Sequence, residues 1–241
     1  MTLSELFATW LTAIGTISVA IVALFQENLH RWRFRPKLTI SCMGRPPDCL
    51  KIPYVMRIEF RGAMGDDPGF EYRTTAYYFR ILIHNEGEES ARNVEVYARD
   101  LWFKNCGRLE RVKDFPPMNL VWSNSESGHK IYLPFLPPGV SKHCDVAHMI
   151  DPKDRGTFGE DNREGLDRSK TSMSFDLVTK PLHRGYIVPP GKYFLNIVVG
   201  AENCAAATIL TELAFDGAWN DDEASMLRDH VTFRVKQGCS L

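Results

Sequence analysis

Three hydrophobic patterns divide the chain. The first is an unbroken apolar run, Leu6 to Phe25 (LFATWLTAIGTISVAIVALF), without a charged residue. As a helix rising 1.5 Å per residue it covers roughly 30 Å, the thickness of a bilayer's hydrocarbon core. It predicts a transmembrane helix over residues 6–29, behind a short tail at 1–5 and ahead of a basic linker at 30–37. The second pattern is alternation, the period of a half-buried strand. Its strongest example is Thr75 to His84 (TAYYFRILIH), with Tyr77, Phe79, Ile81 and Ile83 on one face and Tyr78, Arg80, Leu82 and His84 on the other. Lys37 to Cys42, Tyr54 to Phe60, Asn93 to Tyr97 running on through Phe103, Asn119 to Ser123, Lys130 to Phe135, Val140 to Met149, Ser172 to Val178, Lys192 to Val199, Thr208 to Phe215 and His230 to Lys236 read as further strands. The third pattern is the absence of one: Asp151 to Thr171 is rich in charge and glycine and reads as an inserted loop.

After the apolar run no segment shows a convincing helical period, apart from one or two turns over Asp221 to Arg228. Many short strands separated by turn residues predict an immunoglobulin-like β-sandwich over 38–241, preceded by a single N-terminal transmembrane α-helix. Strands do not alternate with helices, which argues against a nucleotide-binding α/β sheet.

The flanks of the run give it a direction. Met1 to Glu5 carries an acid and no Lys or Arg, unlike the positive start of a signal peptide. On the far side stand Arg31, Arg33, Arg35 and Lys37, so the positive-inside rule places the C-terminal domain in the cytoplasm of an inner-membrane protein with its N-terminus outside. Trp10 and Trp32 suit the two headgroup zones, where indole rings concentrate. Ala8, Thr12, Thr16 and Ala20 form a stripe of small residues, the surface through which such a helix would pair with a second copy or with another membrane protein.

Composition adds exclusions. The chain of 241 residues is 44% hydrophobic and 24% charged, which rules against wholesale disorder, and its net charge of −1 gives no global field for nucleic acid. Six scattered cysteines lack any CxxC pair, and in a reducing compartment they are expected to be free thiols, mostly buried.

Phe79-Arg80-Ile81-Leu82-Ile83-His84-Asn85-Glu86-Gly87, followed by Ala91-Arg92-Asn93-Val94-Glu95-Val96, resembles the start of bacterial CARDB-type immunoglobulin-like domains. Leu136-Pro137-Pro138-Gly139 is similar to that family's mid-domain turn, and Pro190-Gly191-Lys192-Tyr193 to Ala201-Glu202-Asn203 to its later strand. The resemblance covers roughly Ala76 to Val235 and implies the sandwich fold. It supplies no catalytic residues. Members of that family usually lie outside the cell, whereas the flanking charges here point inside.

The densest chemistry is His143-Cys144-Asp145-Val146-Ala147-His148. His143, Asp145 and His148 are metal-ligand types. On a regular strand, however, His143 and Asp145 share one face and Cys144 and His148 the other, so no face offers three ligands. The same geometry separates Cys144 from His143 as a catalytic dyad. No G-x-S-x-G and no phosphate-binding G-x-x-x-x-G-K-[ST] is present. The sequence therefore reads as a non-enzymatic module without a cofactor, tethered to the lipid bilayer and assembling with a protein partner. The second reading is a membrane-anchored sensor or effector whose sandwich binds a small ligand or metal. For a partner surface, the 151–171 loop and Trp102, Trp122 and Trp219 stand out.

Overall fold

The computed structural model describes residues 3–33, 35–58, 61–62, 65–66, 70–124, 131–161 and 163–236. Helix α1 spans Leu3–Arg33. It exceeds the expected 6–29 at both ends, because no proline interrupts the flanks until Pro36. Its window Leu6–Ala23 has a mean hydropathy of 2.0 and is wholly exposed, so this helix is long and apolar enough to cross a membrane. Trp10 is exposed, as are Ala8, Thr12, Thr16 and Ala20. The Thr12 and Thr16 hydroxyls donate to the carbonyls of Ala8 and Thr12, each at 2.9 Å, so both donors are satisfied within the helix. The side chains of Arg31, Trp32 and Arg33, and the end of the 54–60 strand, lie outside the described residues.

The rest is mainly β. The strands in order are β1 (Leu38–Ser41), β2 (Cys49–Ile58), the two-residue pair β3 (Arg61–Gly62) and β4 (Gly65–Asp66), β5 (Phe70–Asn85), β6 (Ala91–Asn105), β7 (Arg108–Arg111), β8 (Met118–Asn119) and β9 (Val121–Trp122). There follow β10 (Tyr132–Leu136), β11 (Ser141–Ile150), β12 (Met173–Phe175), β13 (Ile187–Val188), β14 (Gly191–Ala201) and β15 (Cys204–Phe215). A turn of helix, α2 (Glu223–Ser225), continues as a π turn over Met226–His230 and precedes β16 (Val231–Lys236). Two seven-stranded sheets result, ordered β1-β5-β11-β12-β13 and β10-β6-β14-β15-β16, with all pairings antiparallel. In the first sheet β2 also pairs with β5 and β9 with β11; in the second, β7 and β8 pair with β6.

The long strand β5 is the spine of the first sheet. Tyr77, Phe79, Ile81 and Ile83 are fully buried, as their alternation predicts, and face a core shared with Val94, Val96, Leu195, Ile197 and Phe233 of the second sheet. Phe79 and Phe233 meet across that core with ring centroids 5.6 Å apart. Of the tryptophans, Trp122 is buried and Trp219 packs edge-on to Tyr77 at 5.0 Å, so these two serve packing. Among the described residues five cysteines are free; Cys49 and Cys144 are buried and Cys106 is exposed, while Cys239 lies outside them.

Asn85 ends β5 and fastens the linker to the body. Its side-chain oxygen accepts from the amides of Lys37 (3.2 Å) and Gly87 (3.0 Å), and its nitrogen donates to the carbonyls of Glu89 (2.8 Å) and Leu136 (2.9 Å). The Lys37 ammonium adds an ion pair to Glu86 at 2.8 Å. Gly87 permits the close approach: a Cβ there would lie 2.3 Å from the Arg35 carbonyl oxygen.

Candidate functional site

The chemistry gathers on the outer face of the first sheet, under residues 151–171. Regular alternation fails in β11. A β-bulge lies between Asp145 and Ala147, so Asp145 pairs with Arg80 and His148 with Tyr78. Arg80 and Tyr78 are two residues apart on β5 and share its outer face. The inserted residue, Val146, thus turns His148 to the side of Asp145 and His143, while Cys144 stays in the core. This corrects the expectation that Cys144 and His148 share a face.

The bulge brings His143, Asp145 and His148 to one face without assembling them. His143 Nε2 lies 2.9 Å from an Asp48 oxygen. Ser123 donates a short hydrogen bond to Asp145. His148 is buried, with Nδ1 2.7 Å from Asp176 Oδ1 and Nε2 2.8 Å from Glu160 Oε1. Both ring nitrogens are therefore engaged, and no group of three His, Cys, Asp or Glu side chains among the described residues is arranged to hold a metal ion.

The electrostatics follow from this placement. Burial pushes the His148 pKa down, but the two carboxylates outweigh it and hold the imidazole at about 9, a cation at neutral pH. Burial opposes ionisation of Asp176 and Glu160, and the imidazolium reverses that, lowering both. Asp145 has no such cation in contact; burial, reinforced by Asp176, raises it to about 6. Two rings pack against the imidazole, Tyr78 stacked at 5.3 Å and Tyr54 tilted at the same distance, and Phe158 meets Tyr54 at 5.0 Å.

The aperiodic segment is built on a buried cation. The guanidinium of Arg155, fully buried, donates to the carbonyls of Lys170 (2.6 Å), Asp167 (3.3 Å) and Glu160 (3.4 Å) and pairs with Asp161 at 3.4 Å. Thr74 on β5 donates to Asp154 at 2.6 Å, and the Thr171 amide reaches the Gly217 carbonyl at 2.8 Å. These contacts fix the segment on the sheet and deliver Glu160 to His148.

Beside this centre opens a cleft of about 480 Å³, lined by Tyr54, Tyr78, Asp145, Asp176 and Lys180 together with the apolar residues Val121, Leu177 and Val178. Asp176 is buried, yet its second oxygen, Oδ2, has no hydrogen-bond partner. Lys180 stands 4.0 Å from the Asp176 oxygen that binds His148.

Two other charged places are less suited to a ligand. A cleft of about 680 Å³ beside the linker mixes Arg35, Lys37 and Arg92 with Glu89 and Glu202, and Lys37 and Glu202 already bond Glu86 and Asn93. On the second sheet, Glu212 is buried beneath Lys192, Arg234 and Lys236; burial alone would raise its pKa, but the three cations bring it down to about 2.

Of the residues that carry the centre, sequence reasoning singled out His143, Asp145 and His148 but missed Glu160, Asp176 and Lys180, and it listed Tyr78 only as part of a strand face. The one available signal was Asp176 inside the apolar strand SMSFDLV, an acid flanked by core residues. No protein-family profile matches the chain, no curated protein matches it, and no solved structure matches its fold.

Proposed function

We propose that the chain is a single-pass membrane protein whose β domain is a non-enzymatic binding module, and that it binds through the cleft beside His148. The cleft carries this reading: it is concave, lined by both polar and apolar residues, and adjoins a fixed ion cluster. Binding is favoured over catalysis because both nitrogens of His148 are occupied, while burial raises the Cys144 thiol away from the thiolate form that a nucleophile needs. The exposed apolar window of α1 supports the anchor, and the basic residues after it support a cytoplasmic domain at the inner membrane. The two antiparallel sheets around one core fit an immunoglobulin-like sandwich of the CARDB type. A small ligand explains the concave site better than a flat protein surface does, so the sensor or effector reading is preferred to a protein-partner module.

The test is a small-molecule panel read by thermal shift on the full chain in detergent, run on wild type and on Val178→Trp, which fills the cleft without touching its carboxylates. Val121→Phe serves as a second blocked form if Val178→Trp melts early. Compounds that stabilise wild type by several degrees and lose that effect in the blocked forms are expected. A panel in which every hit survives blocking contradicts the reading.

A further inference from the structure

Two cysteines stand at the ends of one short loop. β1 and β2 both pair with the edge of β5 that β11 leaves open, and residues 42–48 are the excursion between them. Ser41 lies opposite Leu82, so Cys42 continues level with Ile81, and Cys49 lies opposite Phe79. The two positions are two residue steps apart along β5, roughly 6.6 Å, within the Cα separations that disulfides bridge. Phe79 and Ile81 are core positions, so both cysteines turn to the same face: Cys49 is fully buried, and Cys42 is half-buried against the core. The thiol of Cys49 hydrogen-bonds the sulfur of Cys42, and the Gly44 amide donates to that sulfur at 3.4 Å.

The loop holds the pair in place. The Met43 amide donates to Asp48 Oδ2 at 2.6 Å, the amides of Asp48 and Cys49 donate to the Arg45 carbonyl at 2.9 and 3.1 Å, and the Arg80 amide of β5 donates to the Asp48 carbonyl at 2.9 Å. The sulfurs therefore meet as part of the folded chain. They are not equivalent. The bond from Cys49 holds the Cys42 sulfur below the ordinary thiol range, against burial, while the same bond and burial raise Cys49. Cys42 is the reachable sulfur that forms a thiolate, and Cys49 is the sheltered one. No third ligand stands with them among the described residues, which sets a zinc site aside.

We propose that Cys42 and Cys49 are a redox-active dithiol that a peroxide converts to a disulfide closing the 42–49 loop. The Cys42 thiolate attacks one oxygen of hydrogen peroxide; the O–O bond breaks, and the other oxygen leaves as hydroxide and takes a proton to become water. The resulting sulfenic acid is attacked by the Cys49 sulfur as it gives up its proton, the S–O bond breaks, and a second water leaves. Two thiols are oxidised to one disulfide, and one peroxide is reduced to two waters. In a reducing compartment such a bond is transient, which suits oxidant sensing and not a structural staple. The proposal is independent of the cleft.

The experiment treats the folded full chain in detergent with hydrogen peroxide at pH 7, caps the remaining thiols with N-ethylmaleimide, and follows the tryptic peptides by mass spectrometry. Peptide 38–51 carries both cysteines, because trypsin does not cut Arg45 before Pro46. It is expected to appear uncapped and lighter by two hydrogens, and to take two caps again after dithiothreitol. Cys49→Ser should trap Cys42 as the sulfenic acid, captured by dimedone, and Cys42→Ser should slow oxidation of Cys49 severalfold. Oxidation of the exposed Cys106 while peptide 38–51 stays reduced overturns the proposal, as does a disulfide that forms only in denaturant or that joins either cysteine to a different one. Oxidation of Cys49 at the wild-type rate in Cys42→Ser overturns it too. The wild-type measurement stands if either variant fails to fold.

Discussion

His148→Ala is expected to lower the unfolding free energy of the β domain by about 3–5 kcal/mol at neutral pH, because removing one partner leaves Asp176 and Glu160 buried without their cation. Chemical denaturation followed by tryptophan fluorescence measures it. The loss exceeds that of a simple cavity of the same size, so Glu160→Gln with His148→Ala should recover part of it. The pH dependence carries a definite sign. The folded-state pKa of His148 is raised from 6.5 to about 9, so its contribution is complete below about 6.5 and fades as pH rises through about 9. Asp176 and Glu160 are lowered, so theirs is complete above the ordinary carboxylate range and is lost as pH falls below it. The three groups share one set of interactions, and the effect is counted once for the cluster. Wild type should therefore lose stability at both ends of the range, and His148→Ala should flatten the alkaline limb.

Asn85→Ala is the second large effect, about 3 kcal/mol, because four hydrogen bonds meet on one fully buried side chain. Its consequence is local as well as global. The amide of Lys37 loses its acceptor, while the Glu86 amide on the Lys37 carbonyl and the exposed Lys37–Glu86 ion pair remain. Hydrogen exchange at Lys37 and Gly87 should accelerate more than exchange in β14. Gly87→Ala should give the same local signature, since its Cβ would collide with the backbone of Arg35 to Lys37. Equal acceleration throughout the domain in both variants would mean that Asn85 is core packing and not a clamp on the linker. Asn85 lies seven residue steps from Tyr78, roughly 24 Å of extended strand, so one strand joins the linker to the cleft.

The elements were legible where one physical rule governs them. The charge-free run from Leu6 to Phe25 lies within α1, and the alternation of Tyr77, Phe79, Ile81 and Ile83 became the buried face of β5. The site was less legible for three reasons. A bulge needs one extra residue, and Val146 looks like any other apolar position until its partner strand fixes the register. Glu160 sits in a segment without periodicity, whose order comes from the buried Arg155 and its carbonyl contacts, a pattern with no spacing rule. Asp176 follows the last residue of β12 in a segment buried on both faces, where alternation separates Met173, Phe175 and Leu177 from Ser172, Ser174 and Asp176 but cannot say that the second face is also covered. The same two-sided burial leaves the hydroxyls of Ser172 and Ser174 without hydrogen-bond partners.

The account depends most on one charge state, that of His148 as an imidazolium between Asp176 and Glu160, which binds the buried centre beside the cleft together. The direct measurement is a pH titration of the His148 ring nitrogens by NMR in selectively labelled full-length protein. The predicted result is two protonated nitrogens at pH 7 and a titration near pH 9. A single neutral tautomer at pH 7 would contradict the arrangement.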